Sequence, residues 1–187
     1  MLATDPLYIN PDDYLAAELI SPIRHEYRAG EVFAMTGGTQ NHALIALNLA
    51  TILKTHLRNS GCRTFMENMK VRVATRQAFY YPDVVVSCDP RDRQPHQTFI
   101  DYPCLIVEVL SPSTATFDRT EKFADYATIA TLETYLLVDT ERRHVELRQR
   151  DRTSSWTQTL YDATDPIAIN PLNWAFQMDD IYEDTDL

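Results

Sequence analysis

Cys104-Leu105-Ile106-Val107-Glu108-Val109-Leu110 is an apolar run broken by one carboxylate. Residues on both strand faces are apolar, the pattern of a strand covered on both sides. An ionised carboxylate there costs on the order of several kcal/mol unless a cation or hydrogen bonds compensate it. Something must stand opposite Glu108. It is either half of a buried salt bridge to an arginine, or a metal ligand or general base, since perturbed carboxylates cluster at functional sites.

Upstream, Tyr80-Tyr81-Pro82-Asp83-Val84-Val85-Val86 reads as a second strand. Pro82 cannot donate to a ladder and marks the strand's start, which leaves Asp83 at its mouth. An aspartate there serves equally as a turn or cap residue. Its pairing with Glu108 on a neighbouring strand gives the oxygen-rich, partly open ligand set that Mg2+ prefers.

Downstream, past Ser111-Pro112-Ser113, residues 117–130 read as a helix with Phe123, Tyr126, Ala127 and Ala130 as its apolar stripe and Lys122 on the flank. Arginine is the habitual cation here; the lysines are Lys54, Lys70 and Lys122 alone. A lysine is therefore a choice to examine, because its amine is a compact charge that can titrate. The plain alternative is a helix-surface ion pair between Asp118 and Lys122 at i and i+4.

Further out, residues 10–20 predict a short amphipathic helix opened by Asn10, Pro11 and two aspartates. Residues 25–36 predict a hairpin turning at Ala29-Gly30. Residues 39–60 hold no proline and a dense apolar pattern, with Ile45, Leu49, Ile52 and Leu53 on one face and Leu44, Leu47 and Leu57 on others, which predicts a long, largely buried helix. Strands are expected at 62–66, 69–74, 83–87, 104–110, 133–139 and 144–150, with an edge from 156–160 and 167–169 and a turn or short helix at 178–184. A mixed sheet flanked by helices is the natural packing. The arginines between 142 and 152 suggest a solvated hairpin. His42 stands in line with Ile45 and Leu49, as a hydrogen-bonded core histidine or a ligand. Glu26 is either a strand-surface partner of an arginine or an outer metal ligand.

The chain has 187 residues, 44% hydrophobic and 24% charged, as in an ordinary soluble globular domain. One domain is the default, with a core large enough to need no staple. Cys62, Cys88 and Cys104 are odd in number and without CxxC spacing, so the spacing supports neither a disulfide framework nor a zinc knuckle and fits a reducing cytoplasm. Residues 1–13 lack a basic and apolar run, and no window approaches about 18 uncharged apolar residues, which argues against export and membrane insertion. A net charge of −10, from 27 acids and 17 bases, argues against coating nucleic acid by bulk charge. Local charge opposes it: residues 54–76 carry Lys54, Arg58, Arg63, Lys70, Arg72 and Arg76 against Glu67, while the tail from Asp179 is acidic.

Pro82-Asp83, then Glu108-Val109-Leu110, then a helix with Lys122, resembles the PD-(D/E)XK nuclease superfamily, the restriction-endonuclease-like fold. His25-Glu26-Tyr27, Gly30-Glu31-Val32, Asn41-His42, Val107 to Thr114, Asp118-Arg119, Glu121-Lys122 and Tyr135 to Asp139 look like one bacterial group within it, long carried as a domain of unknown function. The resemblance covers about residues 10–180. It implies an α/β (α+β) mixed sheet flanked by helices, with a core at about 38–140, an added helix and hairpin at 10–36, and strands and acidic tail at 141–187. It also implies that Asp83 and Glu108 hold one or two Mg2+ while a lysine assists the attacking water. The motif's lysine place, two after Glu108, is Leu110. Since i and i+2 share a strand face, a lysine there would sit beside the metal; Lys122 from the following helix is the matching substitute, with Glu26 and His42 as additional shell residues.

The leading expectation is a Mg2+-dependent endonuclease acting on DNA, with Mn2+ able to substitute. Asp83, Glu108 and the backbone carbonyl of Val109 bind the metal, Lys122 assists the water, and Lys54, Arg58, Lys70 and Arg72 line the path of the nucleic acid. The alternative is a silent nuclease-like fold serving as a binding or oligomeric module. A helix apolar on more than one side suggests a homodimer. A serine hydrolase built from Ser111 or Ser113 with His42 lacks the GxSxG elbow.

Overall fold

The computed structural model describes residues 8–162 and 165–187; the first seven residues of the stretch read for an export signal lie outside them. Helix α1 (Pro11–Glu18) is capped by Asn10, whose Oδ1 accepts the Asp13 N–H at 2.9 Å. Strands β1 (His25–Arg28) and β2 (Glu31–Ala34) form the expected hairpin. Its turn residues, Ala29 and Gly30, have φ of 45° and 103°, the sign a tight two-residue turn requires to match strand twist. Helix α2 (Gln40–His56) starts at Thr39, whose hydroxyl accepts the His42 N–H.

Strands β3 (Arg63–Met66), β4 (Lys70–Val73), β5 (Ala78–Tyr80), β6 (Val84–Ser87), β7 (Phe99–Ile100) and β8 (Leu105–Leu110) follow. The chain then runs through α3 (Ala115–Phe117), a π-helical turn at Asp118–Lys122 and α4 (Phe123–Tyr126) into β9 (Thr134–Asp139). Strands β10 (His144–Arg150), β11 (Trp156–Asp162), β12 (Ile167–Ile169) and β13 (Trp174–Phe176) lead to α5 (Met178–Ile181).

Two mixed sheets result. One has the order β2-β1-β5-β4-β7, and the other β11-β10-β9-β8-β6-β3, with β8 and β9 parallel. A parallel pair needs a crossover, which α3 to α4 provides. Along β8 the residues alternate between two cores. Leu105, Val107 and Val109 pack with Ile45, Leu49 and Leu53 of α2, and Ile106 and Leu110 pack with Val71, Tyr80, Tyr126 and Tyr135. All six residues of β8 are buried, as the apolar run implied.

Several expectations need correction. The helix read at 117–130 runs from Ala115 to Tyr126 and stops early. The carbonyls of Ala127, Ile129 and Ala130 accept from the Arg150 guanidinium, so a side chain from β10 takes the place of a further turn. For the same reason the hairpin read as solvated is partly an anchor; Arg148 likewise donates to the Arg119 carbonyl. Strands β5, β7 and β13, of two or three residues each, were not expected from the sequence. The second apolar side of α2, read as a partner surface, meets the C-terminal segment: Asn48 donates to the carbonyls of Ile181 and Glu183, while Leu47 stays half exposed.

The cysteine reading is overturned as well. Cys62 and Cys88 form a disulfide across 26 residues. They flank the paired residues Arg63 and Ser87 of β3 and β6, so strand register places them opposite one another, which sequence spacing does not reveal. The Cys104 sulfur lies 3.4 Å from that of Cys88. The cysteines thus no longer argue for a reducing compartment. Among the described residues, no helix is long and apolar enough to cross a membrane.

Candidate active site

Strand β6 pairs with β8 only as far as Val84 opposite Val107, so Glu108 and Val109 outrun it. Asp83, immediately before β6, fills the gap with its side chain: Oδ2 accepts the Val109 N–H at 2.7 Å. In an extended strand the N–H and C=O of one residue leave on the same edge, so the Val109 carbonyl is directed to the side where Asp83 stands. The other carboxylate oxygen of Asp83 lies 3.5 Å from His42 Nε2. Burial pushes the Asp83 carboxyl above its ordinary range, opposed by His42 and by the Val109 N–H.

Glu108 points to the face of β8 that meets α4. Its Oε1 lies 2.9 Å from Lys122 Nζ and accepts from the Tyr126 hydroxyl at 3.2 Å. The lysine that the strand lacks at position 110 therefore arrives from the helix, while Leu110 is buried in the core. Lys122 also lies 3.1 Å from Glu26 Oε1 and 3.6 Å from Asp118 Oδ1. Glu26 is fixed in turn, because its Oε1 accepts the Tyr81 N–H at 3.1 Å.

Asp118 and Lys122 are not the surface ion pair that their spacing suggested; they are 4% and 5% exposed. Both belong to the π-helical turn, a wider turn often found at functional sites. Asp118 and Tyr126 are the members of the cluster that the sequence reading did not assign. Position 118 was visible only as a helix partner, and an inward-facing π turn has no periodicity by which to read it.

Glu108, Glu26 and Asp118 thus surround one ammonium, and Asp83 stands nearby on the His42 side. Burial raises the Glu108 carboxyl well above its usual range; Lys122 opposes the rise, and Asp118, Asp83 and Glu26 add to it. Burial works against the Lys122 ammonium too, but Glu108, Glu26 and Asp118 outweigh it and hold its pKa well above the ordinary lysine value. The cluster has more carboxylate than cation, which is the electrostatic demand that a divalent ion meets.

The donors fit such an ion. Among the described residues no three His, Cys, Asp or Glu side chains stand as a ready-made cage. Mg2+ does not require one, being held by one or two carboxylates with waters and substrate phosphates completing its shell. Asp83, Glu108 and the Val109 carbonyl form a set of that kind.

His42, read as a core histidine or a ligand, is half-buried beside Asp83. Of the bases expected along a nucleic-acid path, Lys54 and Arg58 are exposed. Lys70 is buried and donates to the Tyr81 hydroxyl at 3.1 Å, and Arg72 holds Asp101 through two hydrogen bonds. These last two serve internal contacts.

Comparison with known proteins bears on the family and the fold. In sequence the chain is similar to an uncharacterized protein of Synechocystis sp., slr1290, being 38% identical over 174 residues that span 93% of this chain and 91% of that protein. A second protein of that organism, sll1609, is 32% identical over 148 residues, 79% of this chain and 84% of the relative. In fold it is similar to the crystal structure of a putative nuclease belonging to DUF820 from Anabaena variabilis, with a TM-score of 0.74 over 93% of this chain and 97% of that one. The sequence identity there is 15%, so that likeness concerns the fold alone. The profile described as "Uma2: Putative restriction endonuclease" matches residues 11–179, a span that includes Glu26, His42, Asp83, Glu108 and Lys122, and the chain belongs to that family.

Proposed function

We propose that this chain is a metal-dependent endodeoxyribonuclease. Asp83, Glu108 and the Val109 carbonyl hold Mg2+, for which Mn2+ can substitute, and Lys122 assists hydrolysis of the phosphodiester. The observation that carries this reading is the 2.9 Å meeting of Lys122 with Glu108, beside Asp83, on a strand whose motif lysine is replaced by Leu110.

When bound, the divalent ion supplies Lewis acidity, polarising a phosphoryl oxygen and lowering the pKa of a water. The remaining work falls to side chains. Lys122 stays protonated among its carboxylates, so it orients the attacking water and offsets negative charge developing on the phosphoryl oxygens, rather than acting as a base. Glu26 and Asp118 fix the ammonium, and His42 steadies Asp83 from the α2 side. The reading includes DNA as substrate, a homodimer as the working form and the cytoplasm as its place.

Calorimetric titration of Mn2+ into wild type and Glu108→Ala tests the metal site, and a nicking assay with Lys122→Ala as control tests the chemistry. Binding to wild type alone, and nicking lost in both variants, is the expected result. A folded wild type that binds no metal even with an oligonucleotide present ends this reading. The second reading, a catalytically silent fold serving as a binding or homo-oligomeric module, is favoured by Leu110 and by Lys122 already neutralising Glu108; it requires a folded protein that hydrolyses no DNA in either metal.

A further inference from the structure

A phosphodiester approaching this cluster meets four carboxylates, and a chain of net charge −10 offers no bulk attraction to offset them. A cation outside the cluster but beside it is needed, and the hairpin carries one. Glu26 and Arg28 alternate on β1 and so share the face that looks into the site; along the strand they are separated by about 6.7 Å. The register puts Phe33 opposite Glu26 on that same face.

The Arg28 guanidinium lies 4.2 Å from the centre of the Phe33 ring and 4.5 Å from that of Phe117. The two rings fix its plane. Its ionic contact is with Glu121 at 3.4 Å, whose side chain is 75% exposed, an arrangement that yields easily to a stronger anion. Phe33 is 37% exposed on an edge strand, an aromatic face turned to solvent beside an acid cluster. A planar guanidinium suits a phosphate bidentately, and an exposed ring suits a base.

Resting on the nuclease reading, we propose that Arg28 and Phe33 form a nucleotide subsite. Arg28 grips a phosphate next to the scissile one, and the Phe33 ring stacks on an unpaired base. Inside a continuous duplex both faces of a base are covered by its neighbours, so the preferred substrate is DNA carrying single-stranded nucleotides.

The test is fluorescence anisotropy in Ca2+ buffer with a labelled single-stranded DNA oligonucleotide, its blunt duplex and the same strand made abasic. Melting temperatures are matched across variants. Wild type is expected to prefer the single strand. Arg28→Ala weakens it about tenfold and makes the salt dependence shallower by about one charge. Arg28→Lys keeps the salt dependence and loses the fork, and so covers the case in which the alanine variant folds poorly. Phe33→Ala weakens the intact strand about tenfold and leaves the abasic strand unchanged, and Phe33→Trp restores binding. Wild-type cleavage of the same strand in Mn2+ separates the two levels of argument. If wild type binds and cuts while the variants bind equally well, or if the duplex is preferred, the subsite is wrong and the nuclease stands. If wild type neither binds nor cuts any of the three, both fall.

Discussion

Asp83 accepts with its carboxylate the Val109 N–H that β6 would have paired had it begun two residues earlier. One side chain thus closes a ladder and lines a site, and amide and alanine variants separate those roles. Asp83→Asn keeps an acceptor for Val109 and removes a buried charge, so its stability in chelator is expected to equal or exceed that of wild type. Asp83→Ala orphans the N–H and costs about 1–3 kcal/mol in urea unfolding. Both lose Mn2+ binding. Equal stabilities for the two variants would contradict the strand-closing role.

Metal binding is expected to release protons. Burial raises Asp83 and Glu108 above their ordinary values of 3.8 and 4.5, and ligation requires the deprotonated form. The heat of Mn2+ titration near pH 6 should therefore differ between buffers of different ionisation enthalpy. The same shift sets the sign for the metal-free protein: the contribution of these groups to stability is fully present below their ordinary values and is lost as pH rises through the folded-state values. A buffer-independent heat would show both groups already ionised.

Lys122 is the one ammonium among the carboxylates named here. Lys122→Met should cost about 3–5 kcal/mol, because Glu108 and Asp118 remain buried, with the partly buried Glu26 beside them, without their partner. Adding Glu108→Gln to that variant should recover part of the loss. A double-mutant cycle by denaturant melts checks it; simple additivity would mean that the two side chains do not interact.

The bridge between Cys62 and Cys88 closes a 26-residue separation, which by chain entropy is worth about 3.5 kcal/mol. Cys62→Ser or added reductant should lower stability by an amount of that order. Cys104, the free thiol, is pushed by burial up to about 11. Its alkylation by iodoacetamide should be slow at neutral pH and rise about tenfold per pH unit through pH 10. A plateau near pH 8 would contradict its burial.

The hairpin offers a stabilising change. Ala29 holds φ of 45°, a conformation that asparagine tolerates better, so Ala29→Asn should raise the melting temperature by an amount equivalent to about 0.5–1 kcal/mol. Gly30→Ala should do the reverse, since its φ of 103° is strained for a side chain and the new Cβ would run into the Tyr8 ring.

The strands that carry Asp83 and Glu108 were legible because both faces of β8 are apolar, and burial on both sides leaves no polar position except one with a purpose. Leu110 was equally informative, since against the resemblance's motif it excludes a strand lysine and leaves Lys122 of the following helix as the substitute. The disulfide and the employment of Lys70 and Arg72 were not legible, because each depends on which strand lies beside which, and pairing between distant segments leaves no mark in local pattern. Asp118 was misread for a related reason. Helical spacing says that two residues are neighbours and is silent on whether their shared face looks inward.

Because Glu26 and Glu108 ride on sheet strands, Asp83 just before one, and Lys122 with Asp118 on a separate helix, native secondary structure alone does not assemble the site. A compact state with every strand and helix formed but the π turn undocked would give an unchanged far-ultraviolet dichroism spectrum and no catalysis. Arg148, which grips the π turn, and Arg150, which grips the segment just after α4, then act at a distance as the fasteners of the chemistry, and turnover becomes a finer gauge of tertiary packing than any measure of helix content.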